Sequence, residues 1–148
     1  MGKYESRNPN FHSEILERLK GQHFMHLMGF DLKTIKAGFI SGEMHIEQKH
    51  NQQFGYVHGG VTATILDICM GFAAYSLLPK GYGTVTANIS VDYFKPGQGE
   101  VIIAEGEVEK PGKSMMFCIG RVYIIKDGMK TLIATARSVM AVVDATKH

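Results

Sequence analysis

At 148 residues the chain is long enough to bury one substantial core and too short for two domains of ordinary size. Its 45% hydrophobic and 20% charged residues are ordinary for a globular protein. The formal net charge is only +2 and no two Lys or Arg residues are adjacent, which argues against a nucleic-acid-binding surface.

Residues 11–28 predict an amphipathic helix, with Ile15, Leu16, Leu19, Phe24 and Leu27 at roughly helical spacing and Gly29 at its end. Before it, residues 1–11 are polar and lack the apolar stretch of a signal peptide, although Met1-Gly2 through Ser6 fits the loose N-myristoylation pattern. Loose alternation from Phe30 to Glu47 around Ala37-Gly38 predicts a hairpin, and polar residues 48–57 a loop. A long helix is expected from about Gly59 to Leu78, ended by Pro79-Lys80-Gly81 and apolar on all sides. It could be mistaken for a membrane span, but Asp67 near its middle would cost about 2.5–3.5 kcal/mol there. The expectation is therefore a buried helix, with no membrane partner.

Four strand-like segments follow. Val85, Ala87, Ile89, Val91 and Tyr93 alternate with Thr86, Asn88, Ser90 and Asp92, which predicts a half-buried strand with the polar set on its outer face. Segments 100–109, 114–126 and 130–143 come next, separated by Pro96-Gly97, Pro111-Gly112 and Asp127-Gly128. Connections this short favour antiparallel neighbours. The fold class is α+β: one domain over residues 1–148, with a curled five- or six-stranded antiparallel sheet around the helix and residues 1–28 as a helical extension. The sheet must curl around that helix, or a partner subunit must cover it.

Two features of the long helix carry chemistry. Asp67 is the only charged residue between His50 and Lys80, apart from histidine, and no cation lies within helical reach of it. A carboxylate there is either a paired structural group or one facing a cleft as a base or nucleophile. His58-Gly59-Gly60 opens the same helix. Two glycines there serve either a tight turn or an anion and oxyanion site at bare first-turn amides. Gly60 and Asp67 share a helix face to within about 20° but stand about 10 Å apart along the axis. One carbonyl cannot touch both. Two antiparallel helices across a two-fold axis would bring the first turn of one to Asp67 of the other, so an enzymatic reading demands a homodimer.

The stretch from Asn51 through Gly55 and His58-Gly59-Gly60 to Asp67 resembles the signature of hotdog-fold acyl-CoA thioesterases of the phenylacetate-pathway (PaaI-like) type. That resemblance implies a long helix wrapped by a curved sheet, dimers joined edge to edge, and pairing of dimers into tetramers. It implies that the Gly59 N–H polarises the thioester carbonyl while Asn51 positions substrate or water. Asp67 of the other subunit would then attack or activate water, and Thr86 would hold that water. His58 and Gly60 would contact substrate, or His58 would only fix the loop. The reaction implied is hydrolysis of an acyl-CoA to free acid and CoA, with CoA as part of the substrate and no cofactor. The alternatives are a hotdog hydratase-dehydratase acting on CoA or acyl-carrier-protein thioesters, and a non-catalytic acyl-CoA-binding module.

Lys113, in Lys110-Pro111-Gly112-Lys113-Ser114, lacks the glycine spacing of a phosphate loop but could lie near a CoA phosphate. Arg121 and Arg137 are weaker candidates of the same kind. Histidines 12, 23, 26, 45, 50, 58 and 148 form no ligand spacing, so no metal is expected. Cys69 and Cys118 lie in apolar stretches and are expected as buried thiols of a cytoplasmic protein.

Overall fold

The computed structural model describes residues 3–147. Met1 and Gly2 of the myristoylation pattern, and His148, lie outside the described residues. The elements in chain order are α1 (Phe11–Leu19), α2 (His23–Met28), β1 (Asp31–Lys36), β2 (Phe39–His45), α3 (Gly59–Tyr75), β3 (Tyr82–Tyr93), β4 (Val101–Lys110), β5 (Met115–Lys126) and β6 (Met129–Asp144), with short 3-10 turns at Gln48–His50 and Ala145–Lys147. The single N-terminal helix expected over 11–28 is two helices. They part at Lys20–Gln22, where glycine favours leaving the helix and Gly21 and Gln22 bond back to Arg18 and Leu19 in tight turns.

Among the described residues the six strands form one antiparallel sheet in the order β1-β2-β4-β5-β6-β3. The β5–β6 connection is the expected two-residue turn: Asp127 and Gly128 both have positive φ, 49° and 78°, and Lys126 pairs with Met129. Inner faces follow from period-2 burial. In β4, Ile102, Ala104, Gly106 and Val108 are inward, and in β5 Met116, Cys118, Gly120 and Val122. These residues join Ile65, Leu66, Cys69 and Met70 of α3 in one core, to which Ile15, Met25 and Phe30 of the N-terminal segment also belong.

The helix lies unusually close to the sheet at one cross-strand pair, Gly106 and Gly120. A Cβ on Gly106 would stand 2.5 Å from the Cys69 carbonyl carbon and the Met70 nitrogen, and one on Gly120 2.8 Å from a Leu66 methyl. These glycines are close-approach positions. Ser76 caps the helix end and ties it to the β1–β2 turn, its Oγ donating to Ala73 O at 2.6 Å and accepting the Gly38 N–H at 2.7 Å. That cap ends α3 at Tyr75, three residues before the expected Leu78.

Coverage of α3 is incomplete. Gly60, Thr64, Asp67, Ile68 and Gly71 form a stripe that the chain leaves partly open, beside the edge strand β3. That edge carries exposed Tyr82, Val85 and Tyr93.

A packing test follows from the glycine pair. Gly106→Ala should lower stability by about 1–3 kcal/mol in urea denaturation, because the clash is with backbone that cannot move aside. Gly71→Ala, where a Cβ meets nothing within 4 Å, should raise it by up to about 1 kcal/mol through helix propensity.

Candidate active site

The loop before α3 is built to present the helix start. His50 is buried, its Nδ1 accepts the Glu47 N–H at 2.9 Å, and its Nε2–H therefore donates to Met28 O at 2.7 Å. This histidine pins the loop to the end of α2, and its carbonyl accepts the His58 N–H at 2.8 Å. An isolated bridge pairs Asn51 with Val57 across the turn. Asn51 Oδ1 is buried with no partner among the described residues.

His58 is the N-cap of α3, and its Nδ1 accepts the Gly60 N–H at 2.8 Å. So the Gly60 amide, expected to face substrate, is taken by the cap. The Gly59 N–H has no partner among the described residues and is the open donor at the helix start. Tyr93, at the far end of β3, donates from its hydroxyl to Gly59 O at 2.6 Å and so holds the Gly59–Gly60 peptide, the one whose N–H the His58 cap takes. Partial burial pushes the Tyr93 phenol above its ordinary pKa, so it keeps its proton.

Two turns along α3, Thr86 Oγ1 donates to Asp67 Oδ1 at 2.6 Å. This corrects the strand reading, in which Thr86 shared an outer face with Asn88 and Ser90. The register of β3 on β6 slips between Thr86, opposite Met140, and Asn88, opposite Val139, so Ala87 is the extra residue of a β-bulge. One inserted residue exchanges the faces of a strand. Before the bulge Thr84 and Thr86 bond to α3 while Val85 is 54% exposed; after it Ile89 and Val91 pack on the core and Tyr93 reaches Gly59. Asp67 Oδ2 has no partner among the described residues.

Asp67 and Thr86 line a cleft of about 520 Å³ between α3, the β3–β6 edge and α1. Asn51, His58, Gly59 and Gly60 do not line it. The chain thus holds two separate groups: a helix start with a free amide, and a braced carboxylate in a cleft. Lys113 belongs to neither, lining a separate hollow with Tyr4, Arg7 and Pro111. Arg121 and Arg137 are ion-paired to Glu107 and Glu109 at 3.5 and 2.9 Å. Both cysteines are free and buried. Burial raises the Cys118 thiol to about 12, and raises that of Cys69 still more with help from nearby Glu105, so neither is a nucleophile at neutral pH. Among the described residues no group of three or more His, Cys, Asp or Glu could hold a metal, and no helix is long and apolar enough to cross a membrane.

The family model of the thioesterase superfamily matches residues 54–130, just over half of the chain and the whole span from the loop to β6. The chain belongs to the thioesterase superfamily. Acyl-coenzyme A thioesterase 13 of Homo sapiens is 30% identical over 102 residues, covering 66% of this chain and 71% of that protein. A thioesterase family protein from Silicibacter pomeroyi superposes with a TM-score of 0.89 at 26% identity, over 90% of this chain and 98% of that one. The E. coli PaaI protein, from the phenylacetic acid degradation operon, gives 0.81 at 16% identity over 93% and 96%, a likeness of fold alone. The long helix in a curved antiparallel sheet is the hotdog fold of these thioesterases, and the protein is a thioester hydrolase of that superfamily.

Sequence patterns missed Tyr93 and His50. Tyr93 counted only as an apolar strand position, and His50 only as a loop residue, because each acts through a partner that no local spacing reveals. Tyr93→Phe should lower kcat up to about tenfold in a thiol-release assay, the order of one neutral hydrogen bond. Thermal unfolding should change little, since the side chain is half exposed.

Proposed function

We propose that the protein hydrolyses acyl-CoA thioesters to free acid and CoA at composite sites, each shared by two subunits of a homodimer. One observation carries this reading. The free Gly59 N–H and the Thr86-braced carboxylate of Asp67 sit on one helix, eight residues and so about 12 Å apart, too far for one thioester carbonyl to meet both. Antiparallel pairing of two β3 edges about a two-fold axis would bring Gly59 of the partner subunit toward Asp67. It would also cover the open stripe of α3 and the exposed residues of β3, an unpaired edge of the kind that proteins seldom leave bare. Met115 and Phe117, nearly half exposed on the outer sheet face, support a further pairing of dimers into a tetramer.

In this reading Thr86 holds Asp67 Oδ1, leaving Oδ2 to accept a proton from water. The water oxygen bonds to the carbonyl carbon, and the resulting oxyanion accepts the N–H of Gly59 of the partner subunit, aided by the α3 dipole. The C–S bond then breaks, the electron pair leaves on the CoA sulfur, and the proton held by Asp67 passes to it. Asn51, with its unsatisfied Oδ1, orients the water or the thioester. His58 acts by capping the helix, and its Nε2–H is left for substrate. No cofactor is needed, because a thioester is already activated. The CoA moiety as leaving group is supported by the name of the relative acyl-coenzyme A thioesterase 13, and the two free thiols support a reducing compartment such as the cytoplasm.

The composite site has a decisive test. Asp67→Ala should reduce turnover of acyl-CoAs at least about 100-fold. Gly59→Pro should do likewise, since it removes only the amide donor, and one such donor is worth about 100- to 1,000-fold. Proline is acceptable at a first helical position, and His58, with φ −59° and ψ 136°, already has the backbone that precedes a proline. Co-expression of the two dead variants should restore about a quarter of wild-type activity, because half the dimers are mixed and each has one intact site. No restoration, or a species that remains monomeric on sizing, would show that the site is not shared.

A further inference from the structure

The cleft that starts at Asp67 has a cationic far end. Along α3 it passes Ile68, Gly71 and Phe72 and reaches Tyr75, about 12 Å of helix from Asp67. Its middle is lined by small and apolar residues and by Thr84, whose Oγ1 donates to Gly71 O. At the Tyr75 end the N-terminal segment closes it with Arg18 and Gln22.

Arg18 is held there by two contacts. Its Nε donates to the Tyr75 hydroxyl at 2.8 Å, and its guanidinium carbon lies 4.6 Å from the centre of the Tyr75 ring. Holding a long side chain in one geometry costs rotamer entropy, and these contacts oppose that cost. They use only one of five donors. The two Nη groups have no partner among the described residues. The neighbouring carboxylate does not take them, for Glu14 Oε2 instead accepts from Asn8 Nδ2 at 2.8 Å and from the Tyr75 hydroxyl at 3.2 Å. A stacked guanidinium with a vacant fork matches a carboxylate in two-point geometry.

We propose that Arg18 is a specificity-determining residue that reads a carboxylate at the distal end of the acyl group, so that the favoured substrates are thioesters of medium-length dicarboxylic acids. This rests on the reading that the acyl chain runs from Asp67 into this cleft. A malonyl or succinyl group is too short to span it, and a simple fatty acyl chain would offer the fork of exposed Arg18 no acceptor but water. The same fork could also take an anionic oxygen from the phosphates of CoA. Between Asp67 and Arg18 the cleft offers Ile68, Gly71, Phe72 and Met140 and one hydroxyl, Thr84, which already donates to Gly71 O; with no free side-chain donor there for a phosphate, the acyl source is favoured.

The test is a thiol-release comparison of adipoyl-, suberoyl- and sebacoyl-CoA with hexanoyl-, octanoyl- and decanoyl-CoA on the full chain. Wild type should prefer a dicarboxylic member over its equal-length monoacid by at least about tenfold in kcat/KM. Arg18→Gln should erase that preference through KM and leave the monoacids within about twofold. Arg18→Lys should keep part of it, having the charge without the fork. Free suberate should also bind wild type more tightly than octanoate in calorimetry, and Arg18→Gln should abolish the difference. Monoacids hydrolysed with no dicarboxylic preference would overturn this proposal and leave the thioesterase reading intact. A KM rise shared equally by both series would overturn it too, assigning Arg18 to the nucleotide end or to packing. No hydrolysis of either series would overturn the acyl-CoA reading beneath it.

Discussion

A helix with apolar residues on nearly every side must be covered on nearly every side, and the sheet can do this for α3 only because it meets the helix backbone at Gly106 and the Leu66 and Met70 side chains at Gly120. The rest of the structure depends on that approach. With α3 seated on β4 and β5, the flanking strands curl up on either side, β2 on one and β6 with β3 on the other. The helix axis then lies along the β3 edge, which places Tyr93 at its start and Thr86 beside Asp67. A side chain at Gly106 would lift the helix and separate both pairs.

On the proposed reading, the functional face is the face left open. Thr86 braces Asp67, but the pair sits at a free edge rather than in the core, and the free Gly59 amide lies on the same side of the molecule. A half-buried carboxylate, an unused amide donor and an unpaired strand edge with exposed aromatic rings are each unfavourable to leave in that state. On the proposed reading one event, pairing of two β3 edges, relieves all three. Assembly and catalysis then draw on the same surface, which explains why an edge strand this long carries so few charges.

Much of this was legible from sequence, and the limits have physical causes. The apolar surround of residues 61–78, with one carboxylate inside it, announced a helix covered on most sides, by a curled sheet or by a partner subunit, because such a surface cannot face water. The turns at Ala37-Gly38 and Asp127-Gly128 were legible because positive φ selects so few residue types. The β-bulge at Ala87 was not. Strict alternation over 85–93 reads as an unbroken strand, and the slip is imposed by pairing with β6 and by the pull of Asp67 on Thr86, neither of which is local. The break at Lys20–Gln22 was hidden for a related reason, since the apolar spacing continues through it while the chain turns to pack α2 separately.

That break has a functional consequence. An unbroken helix over 11–28 would continue along one axis, whereas the turn after Leu19 lets α1 stop at the end of the cleft with Arg18 on Tyr75 and Gln22 beside it. The N-terminal segment contributes core residues such as Ile15 and Met25, so it is anchored by burial rather than resting loosely on the surface. The hotdog frame then separates two tasks along α3. On the proposed reading Gly59, Asp67 and Thr86 act on any thioester, while the last turn of α3 meets Arg18, which touches none of them. On the same reading a change of acyl preference needs substitution only at Arg18, about 12 Å along the helix from Asp67, on a side chain that touches neither Asp67 nor the helix start.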